Sequence, residues 1–169
     1  MKQKISDVLI REMTLDDLPV VLQIDRLSFP LPWPERSYRF ELTRNPAAHL
    51  LVAELDVVHP PFLIGFAGCW LIADEIHIST LAVHPDHRRQ GIGERLLMAV
   101  LKWAEGMGAE IATLEVRVSN HAAVNMYLKN GFVIEGQKTN YYHDNNEDAL
   151  LMTLTDLHKK QVEVDGGDW

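Results

Sequence analysis

The stretch LAVHPDHRRQGIGERLL, residues 81–97, decides the fold of this chain. A strand-like apolar run ends at LAVHP, a five-residue turn follows, and the glycines at 91 and 93 open a pattern of helical period. The first N–H groups of a helix have no partner inside the helix, and glycines let an anion approach them closely. The stretch therefore predicts a strand, an anion-binding turn and a helix in succession.

Two familiar phosphate loops do not match this turn. A P-loop requires a lysine directly after its second glycine, whereas Glu94 follows Gly93. A dinucleotide fingerprint requires a third glycine where Leu96 stands. The basic residues 87–89 can add positive charge beside the turn. The residues alone leave two interpretations open, which are a pyrophosphate site and an ordinary helix start with solvated arginines.

The composition is that of an ordinary globular chain. Its 169 residues are 47% hydrophobic and 24% charged, which fits one domain with a substantial core. The net charge of −8 argues against a nucleic-acid surface and suits a basic or amine-bearing partner. Cys69 is the single cysteine, and neither a signal peptide nor a membrane-spanning run is visible. We expect a cytoplasmic protein without a nucleic-acid or membrane partner, and either a monomer or a weak dimer.

Strand-like and helical segments lie on both sides of the glycine turn. The patterns predict strands at 8–13, 48–55, 62–73, 75–84 and 110–118, and helices at 16–28, 35–44, from Gly91 to the glycines at 106–108, and from Asn120 to Lys129. A terminal hairpin is expected from 132–142 and 148–154, and Gly65 and Gly68 predict a bulge or bend in the run 62–73. Together these segments predict an α/β domain with a mixed sheet.

Three motifs in this order resemble the GNAT acetyltransferase superfamily. The turn contains the pattern Arg/Gln-x-x-Gly-x-Gly/Ala as Arg88, Gly91 and Gly93. LEVRVSNHAAVNMYLKNGF, 114–132, is similar to the other half of the same coenzyme site, and NYYHDNNEDALLMTL, 140–154, is a third match. Together they resemble the RimI-type N-terminal acetyltransferases, which acetylate the N-terminal alanine of a small-subunit ribosomal protein.

The resemblance implies a single GNAT domain over 1–155, with a mixed, mostly antiparallel central sheet flanked by helices, and a polar tail over 156–169. It also implies acetyl-CoA as the cofactor, with main-chain contacts from the strand and the pyrophosphate in the turn. The implied cofactor-binding residues are Leu81, Ala82, Val83, Arg88, Arg89, Gln90, Gly91, Ile92, Gly93, Glu94, Asn120 and Tyr127.

Acetyl transfer to an amine needs a proton acceptor for the amine and a proton donor for the departing thiolate. Glu115 shares a strand face with Thr113 and Arg117, and a half-buried carboxylate there can have a raised pKa. A surface glutamate paired with Arg117 or a lysine explains the same pattern, and the resemblance favours the proton acceptor. Tyr127 is a core tyrosine by pattern and the proton donor by resemblance, while Asn120 can also cap its helix.

Two segments are expected to contact the substrate. They supply Phe29, Pro30, Leu31 and Trp33 from the FPLPW loop, and Tyr141 and Tyr142 from the terminal hairpin. In related N-terminal acetyltransferases the matching segments close over the first residues of the peptide, which implies a protein N-terminus beginning with alanine or serine, or with methionine. The alternative functions are a lysine or small-amine acetyltransferase and a coenzyme-binding module without chemistry. For the two segments, the alternative is that their aromatic residues only pack against one another.

The remaining reactive residues do not suggest a further site. Eight histidines form no metal-binding pattern, so no metal is expected. His77 precedes the cofactor segment and is interpreted as a solvated or core histidine rather than a proton carrier. Cys69 is interpreted as a small buried hydrophobic residue.

Overall fold

The computed structural model describes residues 7–56 and 62–158. Within these ranges the strands are β1 (Val8–Glu12), β2 (Ala48–Leu55), β3 (Phe62–Ile72), β4 (Glu75–Val83), β5 (Ile111–Arg117), β6 (Val133–Lys138) and β7 (Ala149–Leu154). The α-helices are α1 (Leu18–Ser28), α2 (Glu35–Thr43), α3 (Ile92–Gly106) and α4 (His121–Lys129). In these residues, no helix is both long and apolar enough to cross a bilayer.

The strands form a mixed sheet in the order β1-β2-β3-β4-β5-β7-β6. β2 pairs antiparallel with β1 and β3, and β7 pairs antiparallel with β5 and β6. β4 and β5 pair in parallel at Glu75–His77, and parallel neighbours need a crossover, which α3 supplies. The predicted mixed, mostly antiparallel sheet is confirmed.

Contacts along the chain divide it into two compact units. The first contains the described residues up to Trp70 together with Ile78–Val100, and the second contains Leu71–His77 and the described residues from Leu101 onward. The first unit has a core built from α1, α2 and the strands β2, β3 and β4; its buried members include Leu18, Val21, Ile24, Tyr38, Val52, Phe66 and Ala82.

The start of α1 lies two residues later than the sequence pattern predicts. Leu15–Asp17 form a short 3-10 turn, and the α-helix begins at Leu18. Thr14 and Asp17 form a capping box at this start, in which the Asp17 carboxylate accepts hydrogen bonds from the N–H (2.8 Å) and the hydroxyl (3.2 Å) of Thr14. Pro19 follows in the first α-helical turn, where a missing N–H costs nothing.

The predicted irregularity in the third strand is confirmed at Gly65. Ala53 pairs with Gly65 while Glu54 pairs with Leu63, so that Ile64 is the extra residue of a bulge. A Cβ at Gly65 would lie 2.9 Å from the Ala82 carbonyl oxygen and 3.1 Å from Leu96 Cδ1. Glycine is therefore required for β3 to approach the segment that leads into the glycine turn.

In the second unit the terminal hairpin is shorter than predicted. β6 ends at Lys138, so Tyr141 and Tyr142 lie in the connection to β7 and not on the strand. Asn140 turns the chain with a φ of 51°, and its N–H donates to Asp148 Oδ1 at 2.9 Å. These polar contacts end the ladder before the tyrosines. Of the predicted tail only residues 156–158 are described, so Trp169 and the tail boundary lie outside the described residues.

Candidate active site

The glycine turn opens α3 as the sequence predicts. Gly91 has a φ of 78°, and its carbonyl accepts the Arg95 N–H at 3.1 Å, which begins the helical ladder. Arg89 also adopts a left-handed φ, of 63°, which is unusual for a residue with a side chain. Successive turns of this kind and a helix start expose main-chain N–H groups to an anion. The backbone of the turn therefore fits a pyrophosphate group.

Arg88 is held by the protein itself. Its Nε donates to the Val83 carbonyl at 2.9 Å, and one terminal nitrogen donates to the Ser28 hydroxyl at 3.2 Å. The Val83 carbonyl expected to face the coenzyme thus already accepts a hydrogen bond. Arg88 stabilises the turn and ties it to the end of α1.

The other predicted cofactor residues of the first unit differ in burial. Ala82 and Ile92 are buried, Leu81, Val83, Gln90, Gly93 and Glu94 are half-buried, and Arg88, Arg89 and Gly91 are exposed. The expectation that His87 adds positive charge is wrong, because burial and the neighbouring His84 lower its pKa. It does not add the positive charge that the sequence suggested.

In the second unit Glu115 is held between a histidine and a lysine. His77 Nε2 lies 2.5 Å from Glu115 Oε2, and Lys138 Nζ donates to Glu115 Oε1 at 2.6 Å. The Glu115 side chain is 13% exposed, against 46% for Lys138. A carboxylate with both oxygens engaged by nitrogen groups in a partly buried position is well defined in orientation.

The expectation of a raised pKa for Glu115 is wrong. Burial alone would raise it, but the hydrogen bonds and charges of Lys138 and His77 outweigh burial and lower the pKa below its usual value. The predicted pairing with a lysine is therefore present, and Arg117 is engaged elsewhere. Glu115 is ionised at neutral pH.

Tyr127 and Asn120 belong to α4. Tyr127 is 6% exposed and contacts the edge of Phe132 at a ring separation of 5.4 Å. Burial raises its pKa, so the phenol keeps its proton. Asn120 Oδ1 accepts the Ala123 N–H at 3.3 Å, which confirms its capping role. Its predicted contact with the coenzyme stays a prediction.

Arg117 organises the connection that carries the two tyrosines. It donates to Asp144 Oδ1 at 2.8 Å and lies over the Tyr142 ring at 3.9 Å from the centroid. Glu147 accepts the Ser119 N–H at 2.9 Å, and hydrogen bonds from Ser119 lower the pKa of Glu147 to about 2. Burial raises the pKa of Tyr142 to about 12. Tyr141 stands edge-on to Tyr142 and is 40% exposed.

The FPLPW loop belongs to the first unit and is partly packed into its core. Phe29 and Trp33 contact the core cluster, whereas Leu31 is 53% exposed and Pro30 is exposed. Trp33 stacks on Trp70 at a ring separation of 6.4 Å. Leu31 is the exposed large hydrophobic side chain of the loop.

The sequence analysis interpreted His77 as a solvated or core histidine, and it did not identify Lys138 as a neighbour of Glu115. In the parallel pairing His77 lies opposite Thr113, which shares its strand face with Glu115, so the predicted strand–helix–strand crossover could have placed His77 beside Glu115. No local sequence pattern predicted that Lys138 lies beside Glu115. The β6–β7 register shifts between Ile134 and Gly136, and this bulge sets which face Lys138 occupies.

Cys69 is fully buried, as predicted, and burial raises the pKa of its thiol to about 12. Among residues 7–56 and 62–158, the histidine, cysteine, aspartate and glutamate side chains nowhere gather in a group of three that could hold a metal ion.

Comparison with known proteins identifies the class of this fold and site. A family model described as the acetyltransferase (GNAT) family matches residues 18–132. The chain belongs to the GNAT acetyltransferase family, and it is an acetyl-CoA-dependent N-acetyltransferase.

Similar proteins and solved structures within this family have more specific names. A Bacillus subtilis protein described as a ribosomal protein bS18-alanine N-acetyltransferase is 40% identical over 146 residues, which are 86% of this chain and 94% of that protein. The crystal structure of the Escherichia coli ribosomal-protein-S18-alanine N-acetyltransferase has a TM-score of 0.77 at 29% identity, covering 88% of this chain and 94% of that one. A Vibrio cholerae spermidine/spermine N-acetyltransferase shares the fold at 21% identity with a TM-score of 0.76, covering 94% of this chain and 97% of that one.

Proposed function

We propose that this enzyme acetylates the N-terminal α-amine of a ribosomal protein of the bS18 type, whose chain begins with alanine. The observation that carries the proposal is the Glu115 carboxylate held between His77 and Lys138. The names of the Bacillus subtilis relative at 40% identity and of the Escherichia coli structure at 29% identity support the acceptor. The shared fold of a polyamine acetyltransferase shows that the fold alone does not select it.

The glycine turn and the end of β4 are the proposed coenzyme site. Acetyl-CoA supplies an acetyl group activated as a thioester. The N–H groups at the start of α3 bind the pyrophosphate, because Gly91 adopts a positive φ without strain and has no side chain to block their approach. Exposed Arg89 adds positive charge to a molecule whose net charge is −8.

Glu115 and His77 together are the proposed proton acceptor. An α-amine has a pKa of ~8 and arrives mostly as a cation, which the ionised Glu115 attracts. The lowered pKa makes this carboxylate a weak base by itself. His77 Nε2 contacts the same carboxylate, so the two side chains place proton-accepting atoms next to each other.

Tyr127 is the proposed proton donor to the departing thiolate. Its raised pKa keeps the phenol protonated through the working pH range, which a donor requires. The first residues of the peptide are proposed to contact the FPLPW loop and the pair Tyr141 and Tyr142. Arg117 fixes Tyr142 by contact with its ring.

Matched acceptors test the function. One peptide begins with alanine and contains no lysine, a second has a blocked N-terminus and an internal lysine, and a third acceptor is a polyamine. Release of free coenzyme A thiol is followed with each at equal concentration. We expect the free α-amine to react at least tenfold faster, and faster acetylation of the blocked peptide or of the polyamine would contradict the proposal.

A further inference from the structure

The FPLPW loop has few main-chain groups that can hold it in place. Between Phe29 and Pro34 every second residue is a proline, and proline has no N–H. The loop therefore has three amide donors, at Phe29, Leu31 and Trp33. Its conformation depends on what those three amides contact.

One residue accepts two of the three donors. The Phe29 N–H donates to the main-chain oxygen of Asp25 at 2.9 Å, and the Trp33 N–H donates to Asp25 Oδ2, also at 2.9 Å. Asp25 lies in the last turns of α1, so the helix and its side chain together hold both ends of the loop. Leu31, at the tip between them, is the exposed apolar residue.

Asp25 is a carboxyl group in a buried position, which costs free energy of folding. The residue is 1% exposed, and its polar neighbour from α2 is the hydroxyl of Tyr38, which also lies beside Thr80 of β4. Burial raises the pKa of Asp25, and the hydrogen bond that its carboxylate accepts from the Trp33 N–H opposes that rise. A buried carboxylate at a site that serves only packing would be better replaced by an apolar side chain.

We propose that Asp25 is a positioning residue that fixes the FPLPW loop for the peptide. The inference rests on the proposed function, because it treats this loop as part of the peptide site. Asp25 touches neither acceptor nor coenzyme in this role. It acts through Trp33 and Phe29, and loss of its side chain removes the hydrogen bond that orients the Trp33 main chain.

A pair of substitutions separates positioning from mere support of the fold. Asp25→Ala removes the acceptor for the Trp33 N–H, and Asp25→Asn keeps a carbonyl oxygen at the same place. We expect Asp25→Ala to raise the KM for an alanine-initiated peptide about tenfold, the size of one lost buried hydrogen bond, with the KM for acetyl-CoA changed less than twofold. Asp25→Asn should restore the peptide KM to within about threefold.

The control is Asp16→Ala, the same substitution at an exposed position near the start of α1. Parallel changes in the KM for both substrates, or an unchanged peptide KM in folded Asp25→Ala, would overturn the inference. Failure of the parent enzyme to acetylate the peptide at all would instead contradict the proposed function, so the two failures are distinguishable.

Hydrogen exchange provides a readout that does not use activity. In the parent protein the Trp33 amide should exchange at least tenfold more slowly than the Leu31 amide, and Asp25→Asn should keep part of that protection. This measurement decides the matter even where Asp25→Ala does not fold. Equal exchange at Trp33 and Leu31 in the parent would overturn the inference.

Discussion

At the scale of single residues, Glu115 shows how neighbours decide the chemistry of a carboxylate. Burial disfavours its charge, and the nitrogen groups of Lys138 and His77 favour it more strongly. Because its pKa is lowered on folding, Glu115 stabilises the folded state above the ordinary glutamate pKa, and this contribution is lost as the pH falls through the lowered value. At neutral pH the Glu115 carboxylate is therefore ionised.

Glu115→Gln removes the charge of the proposed proton acceptor while keeping the shape of the side chain. We expect kcat at neutral pH to fall by about 10²-fold or more, with coenzyme affinity unchanged. The deficit should shrink as the pH rises through ~8, because more of the amine is already deprotonated. Rates between pH 6.5 and 9.5, together with calorimetry of coenzyme binding, check this expectation. A parent-like rate at neutral pH would show that Glu115 is not the acceptor.

At the scale of elements, the turn into α3 depends on backbone conformation more than on side chains. Gly91 and Gly108 both have positive φ, of 78° and 87°, and they lie before and after the same helix. Their strain on substitution is of the same kind. They differ in that only Gly91 opens the proposed pyrophosphate site.

Gly91→Asp places a side chain and a negative charge at that opening. We expect at least a tenfold loss of affinity for acetyl-CoA, and the matched Gly108→Asp should lose stability without losing affinity. Calorimetric titration of both variants with acetyl-CoA compares them directly. Equal affinities in the two folded variants would remove the basis for placing the pyrophosphate here.

The elements also show what the sequence could and could not predict. β2 was predicted with its observed bounds, because an apolar run between turn residues is a local signal. The hairpin end was wrong because Asn140 and Asp148 end the ladder through side-chain contacts. Glu115 was identified through family resemblance, whereas its contact with Lys138 depends on a bulge and could not be predicted from local pattern.

At the scale of the whole molecule, the buried carboxyl group of Asp25 makes the stability of the folded protein depend on pH. Its pKa is raised in the folded state, so the folded protein binds this proton more tightly than the unfolded chain. The stability of the parent therefore falls as the pH rises from the ordinary aspartate pKa, about 4, through the raised value. Arg26 on the same helix and Tyr38 from α2 are the charged and titratable groups nearby.

Asp25→Asn cannot ionise and should escape that loss. We expect its free energy of unfolding, relative to the parent, to be lowest near pH 4 and to increase toward pH 7 before levelling off. Urea unfolding at several pH values measures the difference, with Asp16→Asn as the exposed control. Curves that stay parallel over this range would show that the Asp25 carboxyl does not titrate abnormally.

The stacking of Trp33 on Trp70 makes the conformation of the FPLPW loop accessible to fluorescence measurement. The two indoles are nearly parallel, with an angle of 15° between their planes, and Trp70 Nε1 is fixed by a hydrogen bond to Glu41 at 2.8 Å. One ring belongs to the loop and the other to the end of β3, so excitation shared between them depends on how the loop lies. This tryptophan pair is therefore an intrinsic fluorescent probe, and its emission should change when the FPLPW loop moves.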